Sequence, residues 1–365
     1  MGAALNAYTD FVASTGPAYL TGANDLVNDA QLRNYEVFNA VSRARRKVSG
    51  GSDIRDTVIL EDPSTAATYL PGDPVTVLNT QTTSTNTVKW RHIRVYTTTT
   101  EAEIMLNQSG GMGQSREDAI FHQYKNLKRV KEQSAFTSMF NKVERLTFAT
   151  ASNAAMEAAG GQEPYSVQAT ITSDGLAPSG FTTVQNINPT SLSNWRNQTA
   201  GYTASTPFDS QNGIVAGFDQ MGHKVNFKAP SYQPDGSKFT TSDMKNCAVM
   251  TNEEGRRLFM QSVRANNDIL RMGKQDPAYS EPVFDGVPVL HCDVLDDLSL
   301  FSAGSPDYLF VNLNFFKLVF HESKWFAREG PFIFPDKPDT SVTYWDLWYN
   351  LFNCSRRRQG YLLGT

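Results

Sequence analysis

Between Val48 and Gln108 the chain is Thr-rich, polar and extended, and directly after it one very long helix begins near Ser115. Thr80 to Thr87 reads TQTTSTNT, and Thr97 to Thr100 is four threonines in a row. Around these tracts lie alternating stretches, Thr57-Val58-Ile59-Leu60 and Val88-Lys89-Trp90-Arg91-His92-Ile93-Arg94-Val95-Tyr96. β-Branched and aromatic residues with polar neighbours favour strands, so this region is predicted to be a long two-stranded arm. An isolated hairpin is marginal in water. Such an arm needs something to lie on, most simply another copy of the same chain. That points to an assembling protein rather than a self-contained enzyme.

At 365 residues the chain exceeds the size at which one hydrophobic core stops growing, so two or three lobes are expected. Charged residues make up 19%, and the polarity comes mostly from Thr, Ser, Asn and Gln, which suits many protein–protein contacts. A net charge of −4 argues against a dedicated nucleic-acid binder but is compatible with enclosing nucleic acid without gripping it. Cys247, Cys292 and Cys354 have neither CxxC spacing nor nearby histidine clusters, and read as reduced thiols in a core. The first twenty residues lack a basic start followed by an apolar core, so no signal peptide is expected. Tyr308 to Phe320 is broken by Asn312, Asn314 and Lys317, and no run reaches the roughly 18 residues of a membrane span. The expectation is a soluble protein made in a reducing cytoplasm, with no membrane partner.

Residues 1–24 carry Gly16-Pro17 and Gly22 and read as a loose arm. A helix capped by Asn24 or Asp25 is predicted through about Lys47, with Leu26, Tyr35, Phe38 and Val41 buried. It ends in Arg43, Arg45, Arg46 and Lys47, cations suited to a helix C-terminus. This cluster is read either as a solvated helix end or as an inner-surface contact to enclosed nucleic acid. Ser49-Gly50-Gly51-Ser52 then breaks the helix. Along the arm, Tyr69-Leu70-Pro71-Gly72-Asp73-Pro74 interrupts the first strand and the Thr tract at 80–87 is the expected tip. Ser109-Gly110-Gly111-Met112-Gly113 has no following Lys-Ser/Thr and does not match a phosphate loop. Gly110, Gly111 and Gly113 are read instead as a hinge between arm and helix.

Ser115 with Asp118 forms a capping-box pattern for the helix that runs to about Phe148. Ile120, Phe121, Tyr124, Leu127, Val130, Phe136, Met139, Phe140, Val143 and Leu146 recur at three and four residue spacings on one face. Phe136, Met139 and Phe140 are singled out as its packing residues, with Lys125, Lys128, Arg129, Lys131 and Glu132 on the solvent side. Such a rod spans roughly 50 Å. From Ala149 to Asp297 short strands alternate with helices, including Cys247-Ala248-Val249-Met250, a helix from Glu253 to Leu270, and Val287-Pro288-Val289-Leu290. This predicts an α/β lobe. Tyr308–Phe320 and Thr343–Phe352 read as strands packing a sheet against the long helix, and Arg356-Arg357-Arg358 as a solvated or neighbour-bridging run.

The search for chemistry returns no catalytic, cofactor-binding or metal residues. His92, His122, His223, His291 and His321 lack any paired metal spacing. His291-Cys292-Asp293 joins nucleophile, base and acid types, but strand neighbours point to opposite faces. Asp296-Asp297 reads as a solvated turn. Asn107, Asn197 and Asn353 match N-glycosylation patterns only by chance.

The most informative local text is Cys247-Ala248-Val249-Met250-Thr251-Asn252 leading into the Glu253–Leu270 helix, then Val283-Phe284-Asp285-Gly286-Val287-Pro288-Val289. With the order of arm, long hairpin, long helix, α/β lobe and returning strands, the chain resembles the major capsid protein of tailed bacteriophages, a fold shared with encapsulins. The resemblance implies an α+β fold with an N-terminal arm at 1–48 and an extended β-hairpin E-loop at 49–108. It implies a peripheral domain with spine helix at 109–149, an α/β axial domain at 150–305 and returning peripheral strands at 306–365. It also implies self-assembly through hexamers and pentamers into an icosahedral virion shell around double-stranded DNA, without sequence-specific binding. A portal, a separate scaffolding protein and a decoration protein are the further partners. Some relatives cross-link an E-loop lysine to a neighbour; here Lys89 is the only lysine between Gly50 and Glu101 and lies away from the expected tip, so cross-linking is not expected. An encapsulin-like compartment and, in another class, a β-rich phage tail or receptor-binding protein are the alternatives.

Overall fold

The computed structural model describes residues 36–60, 83–106, 116–158, 160–209, 211–225, 247–265, 282–284, 286–298, 301, 304–334 and 336–365. The residues fall into two units. The smaller comprises 92–142 and 323–348, and the larger 34–91, 143–322 and 349–365.

The larger unit opens with a helix Glu36–Arg43 and strand β1 (Arg46–Val48). The helix therefore stops at Arg43 rather than Lys47. Arg46, Lys47 and Val48 instead pair in parallel with Val319, Phe320 and His321 of β10 (Phe316–His321), and backbone in a sheet cannot also be helical. β2 (Asp53–Ile59) and β3 (Thr83–Lys89) form an antiparallel ribbon in register from Asp53↔Lys89 to Ile59↔Thr83. Two corrections to the arm follow. Residues 83–87 of the Thr tract are paired strand and not the tip. The stretch from Val88 to Tyr96 is also two strands, because β3 ends at Lys89 and β4 (Arg91–Thr100) joins a different sheet. Trp90 marks the break, its Nε1 donating to Gly51 O at 2.9 Å. The Tyr69–Pro74 interruption and the hinge glycines Gly110, Gly111 and Gly113 lie outside the described residues, as does the cap residue Ser115.

The core of the larger unit is a six-stranded mixed sheet in the order β5 (Gln198–Tyr202), β13 (Gly360–Gly364), β9 (Tyr308–Asn312), β6 (Cys247–Thr251), β8 (Val287–His291), β7 (Val283–Phe284). Every residue of β6 and β9 is buried, which explains their unbroken apolar text: strands covered on both faces need no polar alternation. Helices Ile214–Val225 and Glu253–Ala265 contribute Phe218 and Phe259, both at 0% exposure. Phe218 is the aromatic hub, with ring centroids of Phe259, Tyr308, Phe310 and Phe284 at 4.8, 4.9, 5.1 and 5.3 Å. Asn252 caps the second helix, its Oδ1 accepting from Gly255 N at 2.9 Å. Gly286 takes φ +82 at the β7–β8 turn, a conformation that suits glycine.

Tyr308–Phe320 is not one strand. The chain leaves the six-stranded sheet after Asn312 and enters the other sheet at Phe316, where β10 pairs antiparallel with residues 349–353 of β12 (Lys337–Asn353). β9 and β13 accordingly belong to the sheet of the α/β lobe, so the boundary at 305 does not follow the sheets. β13 sits between β5 and β9, and Gly360 lies against Met221 and Val225 so closely that an added Cβ would come within 2.6 Å of each.

In the smaller unit β11 (Ala327–Phe334) and β4 both pair with β12. The long helix runs Arg116–Thr147. Its described buried positions Ala135 and Met139, continued in the larger unit by Val143 and Leu146, keep the three and four residue spacing of one face. Phe136 and Phe140 belong to an aromatic cluster, with Phe136 at 5.7 Å from Trp345 and 6.1 Å from Phe326, and Phe140 at 5.3 Å from Phe326. Phe326 has φ +49, rare for a bulky residue, and packs against both of these rings. Lys131 and Glu132 are not on a free solvent face. Lys131 Nζ donates to Thr98 O at 2.7 Å and Glu103 Oε2 at 2.5 Å, with both ion-pair side chains under one-fifth exposed. Glu103 also completes a capping box with Thr100 at the start of helix Glu101–Leu106. Glu132 faces Arg328 at 3.7 Å. Among the described residues no helix is long and apolar enough to cross a membrane.

Candidate functional site

Three features of the described surface could carry function in an assembling chain. They are the root of the ribbon, the exposed apolar strand ends, and the basic cluster near residue 45.

The ribbon has two faces set by the period of two. Ile54, Asn86 and Val88 are buried, while Arg55, Thr57, Ile59, Thr83 and Thr85 point outward. The inner face rests on the chain's own body, which corrects the expectation that the whole arm buries itself only on a neighbour. Leu60 packs with Ile187 and Trp195, and Asn194 Nδ2 donates to Leu60 O at 2.6 Å. Asn86 Nδ2 donates to Asn353 O at 2.7 Å. The Gln185 amide lies within hydrogen-bonding distance of both Asn86 and Asn353. Gln185 and Asn186 have φ +54 and +68 inside the tight Val184–Ile187 turn, the mirror-image geometry of hairpin turns. That turn aims Gln185 inward. Asn350 Nδ2 donates to Lys89 O at 2.7 Å while its Oδ1 accepts from Tyr165 N at 2.9 Å. Arg91, 7% exposed, gives its guanidinium to Met156 O and Glu163 O.

Beside the ribbon root lies an open cleft of about 490 Å³, lined in part by Arg55, Lys89, Met156, Glu157 and Tyr165. Tyr165 Oη donates to the Glu157 carboxylate and accepts from Gln185 N at 3.2 Å. Burial raises the Glu157 carboxyl above the usual range, against the hydrogen bond from Tyr165, which lowers it. The Tyr165 phenol is also raised, by burial first and by Glu157 second.

The second feature is apolar. Ile59 at the end of β2 is 75% exposed, and Tyr96, Phe332 and Ile333 in the smaller unit are 65, 53 and 70% exposed. Tyr96 and Phe332 both flank Tyr344, at 6.4 and 6.1 Å. Arg94 stands 5.0 Å over the Tyr344 ring and grips Asp346 with two bonds of 2.6 and 2.7 Å. That grip pulls the Asp346 carboxyl below its ordinary value. Large apolar side chains left exposed on strands are a mark of surfaces that meet partners.

The third feature is the basic cluster. Arg43, Arg45, Arg46 and Lys47 are all exposed, and Lys47 pairs with Glu322 at 2.5 Å. The run at 356–358, by contrast, is not solvated as a whole. Arg356 has 0% exposure and donates to Thr170 O (2.7 Å), Leu176 O (3.0 Å), Trp195 O (3.3 Å) and Asn197 Oδ1 (3.0 Å). Its guanidinium gathers the carbonyls of two loops, and burial lowers its pKa to about 10. No run-of-charge pattern announces such a role; a single arginine among three carries it.

Elsewhere His291 does meet Asp293, at 3.3 Å, and Asp296, at 2.7 Å, because helix Asp293–Asp297 folds back over the end of β8. Cys292 is buried, and Asp296 caps Glu253 N. Cys247 is buried too, its thiol raised to about 12 by burial. Among the described residues no group of three or more His, Cys, Asp or Glu is placed to hold a metal ion.

No protein-family model and no curated protein matches this sequence. Solved structures do. A chain of the cyanophage A-1(L) capsid asymmetric unit is 11% identical, with 94% of this chain and 96% of that chain covered and a TM-score of 0.61. The capsid of the empty GTA particle gives 11% identity, 93% and 99% coverage and a TM-score of 0.55. The capsid of the native GTA particle gives 12%, 95% and 100%, with a TM-score of 0.53. The fold extends over nearly the whole chain in each comparison.

Proposed function

We propose that this chain, whose α+β architecture is the capsid fold of tailed phages, is a major capsid protein that builds an icosahedral shell. The observation that supports this reading is the end-to-end correspondence with capsid chains, 94% of this chain against 96% of the cyanophage chain. A grafted module would match only in part. Strand ends carrying Ile59, Phe332 and Ile333 in water fit the same reading, since a shell subunit must leave apolar surface for its neighbours. Repeated subunit contacts let modest pairwise energies accumulate over a closed shell.

In this reading residues 1–48 are the N-terminal arm, 49–108 the E-loop and 109–149 the spine-helix region. The α/β lobe of 150–305, completed by β9 and β13, is the axial domain that meets its copies at the centre of hexamers and pentamers. The rest of 306–365 returns to the peripheral sheet. Phe136, Met139 and Phe140 hold the spine helix, and Gly110, Gly111 and Gly113 serve as a hinge during expansion. The enclosed partner is double-stranded DNA, held without sequence preference; a net charge of −4 avoids the strong counterion-release binding that would arrest incoming duplex. Arg43, Arg45, Arg46 and Lys47 give a local basic contact on the inner surface, with Lys47 also paired to Glu322. A scaffolding protein, a portal and a decoration protein are further partners, with synthesis in the host cytoplasm.

Electron microscopy of the purified chain, alone and co-expressed with candidate scaffolding proteins, tests the assignment. Closed shells are expected. Fibres, or small discrete oligomers under every condition, would overturn it.

A further inference from the structure

The β2–β3 ribbon is fastened to the larger unit at three levels along its length. At one end Asn350 holds Lys89 O at 2.7 Å, and at the other Asn194 holds Leu60 O at 2.6 Å. Between them Asn86 reaches Asn353 O at 2.7 Å, and Thr87 N donates to Gln185 O at 3.2 Å. A seven-residue strand is about 24 Å long, so these levels lie roughly 20 Å apart end to end. A ribbon held at one end can swing; a ribbon held at both ends and in the middle cannot. Asn86, Gln185, Asn350 and Asn353 are all at most 1% exposed, so opening the Lys89 or the Asn86 level leaves amide groups without partners in the interior, whereas Asn194 at the far end is exposed and its tie is the weaker one.

We infer that the ribbon is a fixed mount which moves with the rest of the larger unit as one body, so β2 and β3 do not reorient against it. The mount is a property of the single chain and goes beyond the capsid reading.

Hydrogen exchange on the full-length, unassembled chain tests it. The ribbon amides of 53–60 and 83–91 that are hydrogen-bonded across the β2–β3 ladder are expected to exchange within about tenfold of those of 349–353, the strand they are fastened to. Asn86→Ala is expected to speed exchange in 83–91 by about tenfold or more while leaving 247–251 unchanged. Ribbon amides that exchange near the unprotected rate in the native chain overturn the inference, as does a folded Asn86→Ala variant with unchanged ribbon exchange. Should that variant not fold, the native measurement decides alone. In closed shells the ribbon should keep its free-chain protection, and a change beyond about tenfold on assembly would also overturn the mount. If no shell forms, the capsid reading fails while the free-chain result still decides this one.

Discussion

Asn86 and Asn353, 267 positions apart, are joined by a 2.7 Å hydrogen bond from a side-chain amide to a main-chain carbonyl, both residues fully buried. The bond ties the ribbon to the end of β12. Replacing Asn86 by Leu removes one donor to the Asn353 carbonyl and takes a polar partner from the buried Gln185 amide. A loss of about 1–3 kcal/mol is expected in urea unfolding. A loss under a few tenths would show that water replaces the amide there.

Arg356 should be harder to replace. Its planar fork serves four acceptors, three main-chain carbonyls and Asn197 Oδ1, and a lysine ammonium cannot span them. Arg356→Met and Arg356→Lys each leave buried acceptors unpaired and are each expected to cost about 3 kcal/mol or more, at about 1–3 kcal/mol for each acceptor left unsatisfied. A lysine variant with native stability would mean the charge matters and the fork does not.

In the smaller unit Phe136→Asp places a charge among Phe140, Phe326 and Trp345 and is expected to prevent folding. Lys131→Glu is expected to be damaging as well, because it sets two carboxylates together where Lys131 and Glu103 now pair. Circular dichroism and thermal melts of both variants check this. A Lys131→Glu protein that melts like the native chain would return Lys131 to the solvent face.

Carboxylates here push acid stability in opposite directions. Glu157 and Asp307 are raised by burial, so their contribution is complete below the unfolded value near pH 4 and is lost as pH climbs through their folded values. Asp346, lowered by Arg94, contributes above that unfolded value and loses its share as pH falls through the folded one. Glu157→Gln should therefore gain stability relative to the native chain between about pH 4 and 7. Asp346→Asn should lose it at neutral pH and converge with the native chain in strong acid. Urea midpoints across that range read both slopes, and a Glu157→Gln difference that shrinks as pH rises contradicts the sign.

Phe332→Ser with Ile333→Lys takes from the smaller unit only the Phe332–Tyr344 ring contact of 6.1 Å, since both side chains are more than half exposed. The double variant is expected to melt like the native chain, within about 0.5 kcal/mol, yet to form no shells. Normal particles from it would remove this strand end from the assembly surface.

Much of the architecture is legible along the chain. The long helix announces itself because a helix face repeats every three to four residues, and Ala135, Met139, Val143 and Leu146 keep that beat. Strands β6 and β9 are equally plain, since full burial leaves an unbroken apolar run. Local periodicity reports how exposed a residue will be. It says nothing of which distant loop will face it.

For that reason the Thr-rich text determined that β2 and β3 are extended, while only the tertiary structure decided that their inner face lies on this chain's own body. Pattern identified Arg356 as a cation in a run of three, and only the fold surrounded it with carbonyls. The Trp90 break and the sheet switch after Asn312 are likewise tertiary decisions. The sequence determined the elements and the order that marks the fold, because helix and strand periods are local. The partners of Asn86, Lys131 and Arg356 were decided by tertiary structure, because a buried polar group is stable only where remote backbone supplies its hydrogen bonds.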